Sequence, residues 1–404
     1  MVSSPRPLNI LALARFNTGD RFIQRARERG ARVWLLTKES FLRKKPWRRD
    51  LLEDVFAEPD GTLSAGTVNT VSYLARAIRF DRIIPFDDVE VDAAARLREH
   101  LGLPGMGATR ARVFRDKLTM RLRAAEAGIP GPDFVGVIHH EAIRAFTERV
   151  PAPWMLKPRT EAGSVGIKKI GDADELWREI HALGDRASYF LLERYLAGEV
   201  HHVDAIVTEG RVAFTEVHRN GLPPFDVAHG GGVFTTSTVE RGSPDWQALE
   251  GLNERVLSRF GLLRGVAHVE YIKRREDGEM CFLEAGARVG GAHVADLIEA
   301  STGINLWAEW ADLEIDQGAV PYVLPPRRFE HGGLAQCLAR IERPDLSSYR
   351  DPEIVCQVDD PHHAGLVVRS PSHARVRELL DDYARRFAEH FLAVMPHYAL
   401  PPLR

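Results

Sequence analysis

The sequence predicts an α/β (α+β) protein of two or three packed units, and three observations support this prediction. The chain has 404 residues, 44% hydrophobic and 27% charged, a globular composition too long for one hydrophobic core. Its first third alternates short apolar runs with longer helical patterns, the rhythm of a parallel α/β unit. Its middle consists mostly of short strand patterns divided by turns such as Glu209-Gly210 and Asp277-Gly278.

The first unit is expected to contain three parallel strands. Apolar runs predict these strands, and helical patterns begin at about Asp20 and again after the second strand. The strands are expected at 8–14, 33–36 and 82–86, and the second helix at 68–78.

Two acids, Asp87 and Asp88, follow the strand at 82–86 and begin a helix that the glycines of 102–105 end. The favoured interpretation is that both acids cap this helix. The alternative is a site at the carboxyl end of the strand.

The middle of the chain opens with a helical pattern at 110–127 that stops at Gly128. A strand-loop-strand hairpin follows, in which the small-residue loop 161–166 separates strands at 154–158 and 167–170. Further strands are predicted at 189–195, 202–208, 211–218, 265–273 and 279–284. From 325 a third unit carries three strand patterns and an amphipathic helix at 372–392, and 321–328 is the best linker candidate.

Charge and cysteine usage exclude several classes of protein. The chain has 54 basic and 57 acidic residues and a net charge of −3, which argues against a nucleic-acid backbone or an anionic membrane as partner. Cys281, Cys337 and Cys356 have neither disulfide-framework nor zinc-site spacing, which indicates a reducing compartment. Neither a membrane-spanning apolar run nor a secretory signal is visible, so a cytoplasmic protein acting on small molecules is expected.

Candidate phosphate-binding groups are dispersed. The chain has no GxxxxGK[ST] motif, and GMGATR at 105–110 lacks the preceding strand and third glycine of a dinucleotide fingerprint. Lys117 lies early in a helix, and Lys157 stands just before the loop TEAGSVG. A lysine beside a small-residue loop places a point charge next to backbone amides, as in many phosphate cradles. Each lysine alone would be interpreted as a surface charge.

Glu270 and Glu284 lie in two apolar strands separated by a turn. A hairpin about that turn brings both carboxylates to the same end, where they are costly unless paired or bound to a metal. Mg²⁺ prefers one or two carboxylates together with phosphate oxygens, so a magnesium site is favoured. The alternative is a pair of ion pairs with arginines, for which Arg288 is the obvious partner.

A long stretch at 216–240 has no regular pattern and is the candidate substrate loop. Within it, Arg219 is expected to bind a substrate carboxylate or phosphate, and His229 to help deprotonate an amine. A solvated loop is the alternative. The adjacent pairs His201-His202 and His362-His363 alternate faces on a strand and are interpreted as non-functional. Candidates for the lining of an acyl pocket are Gly290, Gly291 and His293, with Trp307 or Trp310.

Taken in order, these segments resemble the ATP-grasp superfamily over about half the chain. The resemblance rests on Arg115-Asp116-Lys117, Met120, Gly128-Ile129-Pro130, Met155-Leu156-Lys157-Pro158, Ala162-Gly163-Ser164-Val165-Gly166, Glu193, Gly198-Glu199, His268-Val269-Glu270, Leu283-Glu284, Arg288-Val289-Gly290-Gly291 and Ser301-Thr302-Gly303-Ile304-Asn305. It implies an ATP-grasp fold of the biotin-carboxylase-like branch. The implied parts are an amino-terminal Rossmann-like pre-ATP-grasp domain at 1–108, an ATP-grasp domain at 109–320 with a mobile lid at about 135–195, and a small carboxyl-terminal α+β domain at 325–404.

The resemblance also implies the roles of individual residues toward ATP and Mg²⁺, for which Mn²⁺ is a candidate substitute. Lys117 and Lys157 would hold the α- and β-phosphates, and the loop 160–166 would close over the triphosphate. Arg288 would stabilise the transferring phosphoryl group. The remaining implied contacts are Ser164 and Gly166 in the loop, Glu193, Arg194 and Leu196 at an adenine hinge, Glu199 on the ribose, and Glu270 and Glu284 on Mg²⁺.

One departure is visible. The superfamily often shows Glu-x-Asn-x-Arg, and here Gly286 stands at the middle position, so an amide ligand to a second metal ion is absent.

The activity that the resemblance implies is amide-bond formation. A small-molecule carboxylate would be activated as an acyl phosphate and passed to an amine, releasing ADP and phosphate, as in amino-acid (dipeptide) ligases. One alternative is ATP-dependent carboxylation of the biotin-carboxylase kind, against which the loop AGSVG and the lack of a biotinyl Met-Lys-Met count. The other is a nucleotide-binding protein without a reaction. A homodimer is left open.

Overall fold

The computed structural model describes residues 6–16, 18–42, 47–60 and 64–394. These residues form three sheets, of four, four and eight strands. Helices accompany all three sheets, so the predicted mixed α/β class is confirmed. Among the helices in the described part of the chain, none is long and apolar enough to cross a membrane.

The first sheet is parallel, with strand order β3-β2-β1-β4. It confirms the predicted α/β unit and adds β3, a short strand with acids at both ends. Gly102 ends the last helix of the unit because it adopts the left-handed conformation at φ 65°. The elements are β1 (Asn9–Leu13), α1 (Asp20–Glu28), β2 (Arg32–Lys38), α2 (Glu39–Leu42), β3 (Asp54–Glu58), α3 (Ser64–Leu74), β4 (Arg82–Pro85) and α4 (Val91–Leu101).

The helix predicted at 110–127 is broken in two, into α5 (Ala108–Ala111) and α6 (Lys117–Glu126). The break occurs because the Asp116 carboxylate accepts hydrogen bonds from the backbone N–H groups of Leu118 and Thr119, which starts a new helix. Lys117 is therefore the first residue of α6.

The second sheet is antiparallel, with order β5-β8-β6-β7, and covers most of the predicted lid segment. Two helices pack on it around a hydrophobic cluster of their own that includes Ile143, Trp154 and Leu192. The expected strand-loop-strand hairpin is present. The elements are β5 (Phe134–Gly136), α7 (His140–Arg149), β6 (Trp154–Pro158), β7 (Lys168–Ile170), α8 (Ala173–Leu183) and β8 (Phe190–Arg194).

The third sheet has eight strands, and every neighbouring pair is antiparallel. Its order is β13-β12-β9-β10-β11-β14-β16-β15. This third sheet is the central sheet of the protein, and it includes the strands predicted after 325, which join it through the pairing of β11 with β14. The elements are β9 (Gly198–Thr208), β10 (Arg211–Asn220), α9 (Pro224–Gly230), β11 (Phe234–Thr238), α10 (Pro244–Phe260), β12 (Gly265–Arg274), β13 (Met280–Gly286), α11 (Val294–Thr302), α12 (Leu306–Asp316), β14 (His331–Leu338), β15 (Ile354–Gln357), β16 (His363–Ser370) and α13 (His373–His390).

The stretch at 216–240 is not the irregular loop that the sequence suggested. It contains the end of β10, the helix α9 and the strand β11. The expectation of a long loop fails because glycines and prolines dominate the pattern and mask two short regular elements. The domain boundaries at 108 and 325 stay predictions.

Alternation along the strands separates a core face from a polar face in the central sheet. Val203 and Ala205 of β9 pack against α10 in one hydrophobic cluster. Because successive side chains of a strand point to opposite faces, His202 and Asp204 project to the other side. That polar face looks toward the second sheet.

Candidate active site

A cavity of about 470 Å³ lies between the second sheet and the polar face of the central sheet. Elements from both sheets, the loop after β6 and the start of α6 form its wall. Among the candidate ATP- and metal-binding residues of the sequence, the wall includes Lys117, Lys157, Ser164, Glu270, Glu284 and Arg288.

Lys117 is held in the wall of the cavity by two hydrogen bonds. Its Nζ donates to the carbonyl oxygen of Glu161 at 2.6 Å and to Glu284 Oε1 at 2.8 Å. The residue is only 4% exposed. The ammonium group therefore links the loop after β6 to a carboxylate of β13.

Glu270 and Glu284 stand directly opposite each other in the pairing of β12 with β13. The hairpin thus brings the two carboxylates together as the sequence indicates. Burial disfavours the charged form of Glu270, but the neighbouring His268 outweighs it, so the pKa of Glu270 lies below its usual range. The alternative in which Arg288 pairs with these glutamates is wrong, because Lys117 pairs with Glu284 and Arg288 turns to another acid.

That acid is Asp88, from the segment just after β4. Arg288 donates from Nε to Asp88 Oδ2 at 2.8 Å and from Nη2 to the same oxygen, and its Nη1 donates to the carbonyl of Val289. Burial would lower the pKa of Arg288, but Asp88 outweighs burial and raises it. The first unit therefore contributes a residue to the site.

The interpretation of Asp87 and Asp88 as helix caps is wrong. Neither side chain caps the helical turns that follow. The Asp87 carboxylate accepts hydrogen bonds from the backbone N–H groups of Arg15 and Phe16, at 2.5 and 3.2 Å, and so ties the loop after β1 to the end of β4. The signal for a site was the position of two acids at the carboxyl end of a parallel strand.

Lys157 is positioned by Glu193, which is almost fully buried. Lys157 Nζ lies 2.6 Å from Glu193 Oε2, and Arg121 Nε lies 2.6 Å from Oε1 in an ion contact whose geometry is outside that of a hydrogen bond. Burial disfavours the charged form of Glu193, but the two cations outweigh it and lower its pKa. The carboxylate of Glu193 is therefore committed to these cations and does not face the cavity.

The other residues expected around adenine and ribose also lie outside the cavity wall. Arg194 pairs with Glu276 at 3.2 Å, Leu196 packs in a small hydrophobic cluster, and Glu199 faces Arg219 at 3.4 Å with its side chain 55% exposed. Gly166 does not line the cavity either. The cavity wall instead includes the apolar residues Met155, Ile167, Val200 and Leu283.

The loop after β6 bends sharply toward the cavity. Gly163, Ser164 and Gly166 all have positive φ values, of 65°, 60° and 70°. A left-handed backbone is uncommon for serine, so Ser164 is held in a conformation that favours glycine. Its side chain reaches the cavity wall.

A buried hydrogen-bond network lies behind the polar wall. Asp204 accepts from His202 Nδ1 at 2.8 Å and pairs with His268 Nδ1 at 2.9 Å. Burial lowers the pKa of His268, but the Asp204 carboxylate outweighs burial and raises it to about 9. His268 therefore presents a positive charge to the cavity, with Nε2 3.9 Å from Glu270 Oε1.

His218 completes this group from the neighbouring strand. It lies opposite His202 in the pairing of β9 with β10, and the two rings stack at 4.7 Å. Neither ring nitrogen of His218 has a hydrogen-bond partner among the described residues. Ligand atoms of His202, Asp204 and His218 lie within 4.8 Å of one another, a set of donors with which proteins hold metal ions.

The alternating faces expected for His201-His202 are confirmed, yet His202 lies in the cavity wall. His201 is on the opposite face, in a depression with Arg219. The signal that identifies His202 is its spacing of two from Asp204, together with the pairing of β9 and β10.

Arg219 is not brought to the cavity. It lies between His218 and Asn220 on β10, and Asn220 lines the cavity, so alternation turns Arg219 to the other face of the sheet. His229 also lies outside the wall, because its ring stacks on Phe225 at 4.2 Å and Nδ1 lies 3.0 Å from the Phe225 carbonyl oxygen. The geometry argues against both expected catalytic roles.

The segment after Arg288 contributes backbone to the cavity. Gly291 and Ala292 line the wall, but His293 turns away and contacts Asp296 at 2.7 Å and Asp360 at 3.0 Å. A Cβ on Gly290 would lie 2.9 Å from both Asp204 Oδ1 and His268 Nδ1, so only glycine allows the backbone this close. Trp307 and Trp310 pack in the core with Phe86.

Two lysines, two facing glutamates and an arginine around a cavity between two antiparallel sheets define a class of nucleotide-binding protein. Residues 150–296 match the family model of the ATP-grasp domain. This part of the chain is therefore an ATP-grasp domain.

The chain is also similar to individual members of that class. It is 26% identical over 243 residues to an L-arginine-specific L-amino acid ligase of Bacillus subtilis, a match that covers 58% of this chain and 58% of that relative. The chain thus spans little more than half of the length of that protein.

Two solved structures share the fold. An L-amino acid ligase from Bacillus licheniformis has a TM-score of 0.76 at 16% identity, covering 97% of this chain and 100% of that one. The biotin carboxylase domain of Hydrogenobacter thermophilus 2-oxoglutarate carboxylase, in complex with MgADP, ADP and bicarbonate, has a TM-score of 0.70 at 16% identity, covering 96% and 91%. Both likenesses establish the ATP-grasp fold.

Proposed function

We propose that the protein is an ATP-dependent carboxylate-amine ligase that forms an amide bond through an acyl phosphate and releases ADP and phosphate. The observation that carries the proposal is the convergence of Lys117, Lys157, Glu270, Glu284 and Arg288 on one cavity. A carboxylate is a poor acyl donor, whereas an acyl phosphate carries a leaving group that an amine displaces. Catalysis then consists of positioning and charge neutralisation.

The donor set fits Mg²⁺. Two carboxylates face each other across the β12–β13 pair, next to cationic groups that suit phosphate oxygens, and this is the coordination that Mg²⁺ prefers. In this proposal Glu270 and Glu284 hold the metal, which neutralises phosphate charge when bound. Lys117 and Lys157 bind the triphosphate, Ser164 and its loop exclude water, and Arg288 stabilises the phosphoryl group and the acyl phosphate.

A partner for the amine is also present in the wall. The Oδ1 of Asn220 is buried without a hydrogen-bond partner among the described residues, and Asn220 lines the cavity. A buried acceptor that makes no hydrogen bond destabilises the protein, and a bound donor would remove this cost. In this proposal Asn220 accepts a hydrogen bond from a substrate amino group, whereas the sequence analysis assigned deprotonation of the amine to His229.

The wall beyond the charged centre indicates an apolar substrate side chain. There α9, β11 and α11 contribute Phe225, Val227, Ala228, Phe234 and Val294. Such a wall offers no negative charge to a cationic side chain. The relative from Bacillus subtilis is named as specific for arginine, whose side chain is cationic. We expect kcat/KM for an amino acid with a large apolar side chain to exceed that for arginine by about tenfold or more. Equal values would contradict this assignment.

The test is release of ADP from ATP and Mg²⁺ as a function of added acids and amines, with products weighed by mass spectrometry. Release that requires a carboxylate and an amine supports the ligase, whereas release with bicarbonate alone would favour the carboxylation alternative. Glu284→Gln should abolish release while the circular dichroism spectrum stays unchanged. Glu276→Gln, an exposed acid of the same hairpin, is the matched control. If no substrate supports the release of ADP, the alternative of a nucleotide-binding protein without a reaction is favoured.

Three finer expectations accompany this proposal. They are support of turnover by Mn²⁺, a homodimer and a cytoplasmic location, and each stays a prediction.

A further inference from the structure

We propose that His202, Asp204 and His218 together bind one Zn²⁺ ion behind the wall of the cavity. All three side chains are buried, and His202 also lines the cavity. The site is separate from the two glutamates proposed to hold Mg²⁺, and it does not depend on the ligase reaction. An ion at this position would join β9 to β10 and fix the ring of His202 in the wall.

The pairing of the strands is the first argument. His202 and Asp204 lie two residues apart on β9, so their side chains project to the same face of the sheet. His218 of β10 stands directly opposite His202 in the strand register. Residues that face each other on antiparallel strands have Cβ atoms about 4.5–5.5 Å apart. The backbone itself therefore brings two imidazole rings and a carboxylate together.

The distances between the donor atoms are the second argument. Asp204 Oδ2 lies 2.8 Å from His202 Nδ1 and 3.9 Å from His218 Nδ1. Bond lengths of about 2.0–2.2 Å place the donor atoms of one tetrahedral Zn²⁺ about 3.3 Å apart. The two observed distances lie on either side of this value, so small movements of the side chains would accommodate an ion.

The isolation of His218 is the third argument. Its side chain is fully buried, yet neither ring nitrogen has a hydrogen-bond partner among the described residues. A buried polar group without a partner destabilises the protein. Because Nδ1 already lies near the Asp204 carboxylate, a cation between the two groups would give His218 the partner that it lacks.

Hydrogen bonds to the other atoms of His202 and Asp204 are the fourth argument. His202 Nε2 lies 2.9 Å from Thr236 Oγ1, and Asp204 Oδ1 lies 2.9 Å from His268 Nδ1. Metal ligands are usually oriented in this way, through the atoms that do not contact the metal. His202 Nδ1 and Asp204 Oδ2, which face each other, are thereby left for the ion.

The chemistry of the three donors favours Zn²⁺. Burial lowers the pKa of His202 and of His218, so both rings are neutral near neutral pH, as metal ligands must be. Two neutral imidazoles and a carboxylate suit Zn²⁺, whereas Mg²⁺ prefers oxygen ligands. Three protein donors leave the fourth position of a tetrahedral ion to a water molecule.

The experiment titrates metal-free, full-length protein with Zn²⁺ alone by calorimetry and follows thermal unfolding. Wild type should bind one Zn²⁺ per chain, which should raise the melting temperature. His218→Ala should weaken binding by about a hundredfold or more and abolish the rise, since loss of an outer hydrogen bond alone costs about ten- to a hundredfold. His201→Ala, a buried histidine on the opposite face of β9, is the matched control and should bind as wild type does.

Two further variants keep all three donors. Thr236→Val removes the hydrogen bond to His202 Nε2, so affinity for Zn²⁺ should fall about ten- to a hundredfold. This variant keeps the test decisive if His218→Ala fails to fold. Glu284→Gln should bind Zn²⁺ as wild type does, and excess Mg²⁺ should not displace the ion.

The possible outcomes also separate this site from the ligase proposal. Wild type that binds no Zn²⁺, or His218→Ala that binds Zn²⁺ as wild type does, would overturn the site and leave the ligase standing. Loss of Zn²⁺ from Glu284→Gln would place the ion on the magnesium ligands and also overturn the site. Zn²⁺ binding that needs His218, in a protein that releases no ADP with any substrate, would support the site and overturn the ligase.

Discussion

At the scale of single residues, the two lysines of the cavity are held by different means. Lys117 is fixed by a backbone carbonyl and a cavity glutamate, whereas Lys157 is fixed by Glu193, a carboxylate buried behind it. Because Arg121 contacts the same carboxylate, loss of Lys157 leaves Glu193 with one countercharge. A buried charge that loses part of its pairing destabilises the fold.

Lys157→Ala should therefore weaken ATP binding by about tenfold or more, which corresponds to about 1.4 kcal/mol, and should also lower the melting temperature. Titration calorimetry with ATP analogue and thermal unfolding measure the two effects separately. Lys168→Ala serves as the control, since Lys168 is an exposed lysine on the next strand that pairs with Glu179. An unchanged affinity for nucleotide would remove Lys157 from the phosphate site.

Sequence reasoning identified the residues whose chemistry is local. Lys117, Lys157, Glu270, Glu284 and Arg288 stand in recognisable segments, and all five reach the cavity. It favoured a capping role for Asp88 over a site and did not identify Asn220, because their contacts depend on which strands are neighbours and which face they turn. The same reason applies to Arg219, which does not reach the cavity. Its position along β10, one residue from Asn220, decides which side of the sheet its side chain reaches.

At the scale of elements, the start of α6 controls where Lys117 lies. Asp116 caps that helix and also accepts from Arg159 Nε at 3.0 Å, so one carboxylate joins α6 to the residue that follows β6, the strand of Lys157. Burial would raise the pKa of Asp116, but Arg159 outweighs burial and lowers it.

Asp116→Ala should destabilise the protein by about 1–2 kcal/mol through loss of the cap, and should raise KM for ATP because Lys117 is the next residue. Asp116→Asn keeps an oxygen that can cap the helix but loses the ion pair with Arg159, so most of the stability should be retained. Urea unfolding and steady-state kinetics provide the measurements. Equal losses in both variants would show that the ion pair, and not the cap, carries the effect.

The strands were more predictable than the helices of the central unit. Alternating apolar residues mark β9, β10, β12 and β13 in the sequence, and the structure shows all four. α10 was missed although its signals are present, since Ser243 caps it, Pro244 occupies its first turn and Leu249, Leu252 and Val256 follow at helical spacing. Charged residues between the apolar positions obscured that period.

At the scale of the whole molecule, His293 ties the segment after the proposed catalytic arginine to the carboxyl-terminal strands. Burial would lower its pKa, but Asp296 and Asp360 outweigh burial and raise it to about 9. A histidine whose folded pKa is above its ordinary value of 6.5 stabilises the protein fully below about pH 6.5 and loses that contribution as pH rises through 9.

The free energy of unfolding should thus fall between pH 6.5 and 9 by on the order of 1–3 kcal/mol, reduced by the partial exposure of both aspartates. Urea unfolding at several pH values in this window measures the fall. His293→Gln should make the dependence shallower, with the remainder due to His268, whose pKa is also raised to about 9. His181→Gln, at an exposed position in α8, should leave the slope unchanged. A wild-type curve that is level across the window would contradict the assignment.

The continuity of the eight-stranded sheet was not predictable from the sequence. A third unit was expected after 325, and its strands are where the pattern puts them. The hydrogen bonds between β14 and β11, however, join residues far apart in the chain, and sequence periodicity does not show which distant strands pair.

That continuity has a consequence for biosynthesis. The Thr238 hydroxyl at the end of β11 donates to the carbonyl of Gly332 in β14, a partner 94 residues further along the chain. At synthesis rates of about 5–20 residues per second, β11 leaves the ribosome roughly 5–20 s before that partner exists. Throughout this interval the nascent chain carries an open strand edge, the feature that invites pairing with other chains. We expect the newly made protein to depend on chaperones until β14 emerges and closes the sheet.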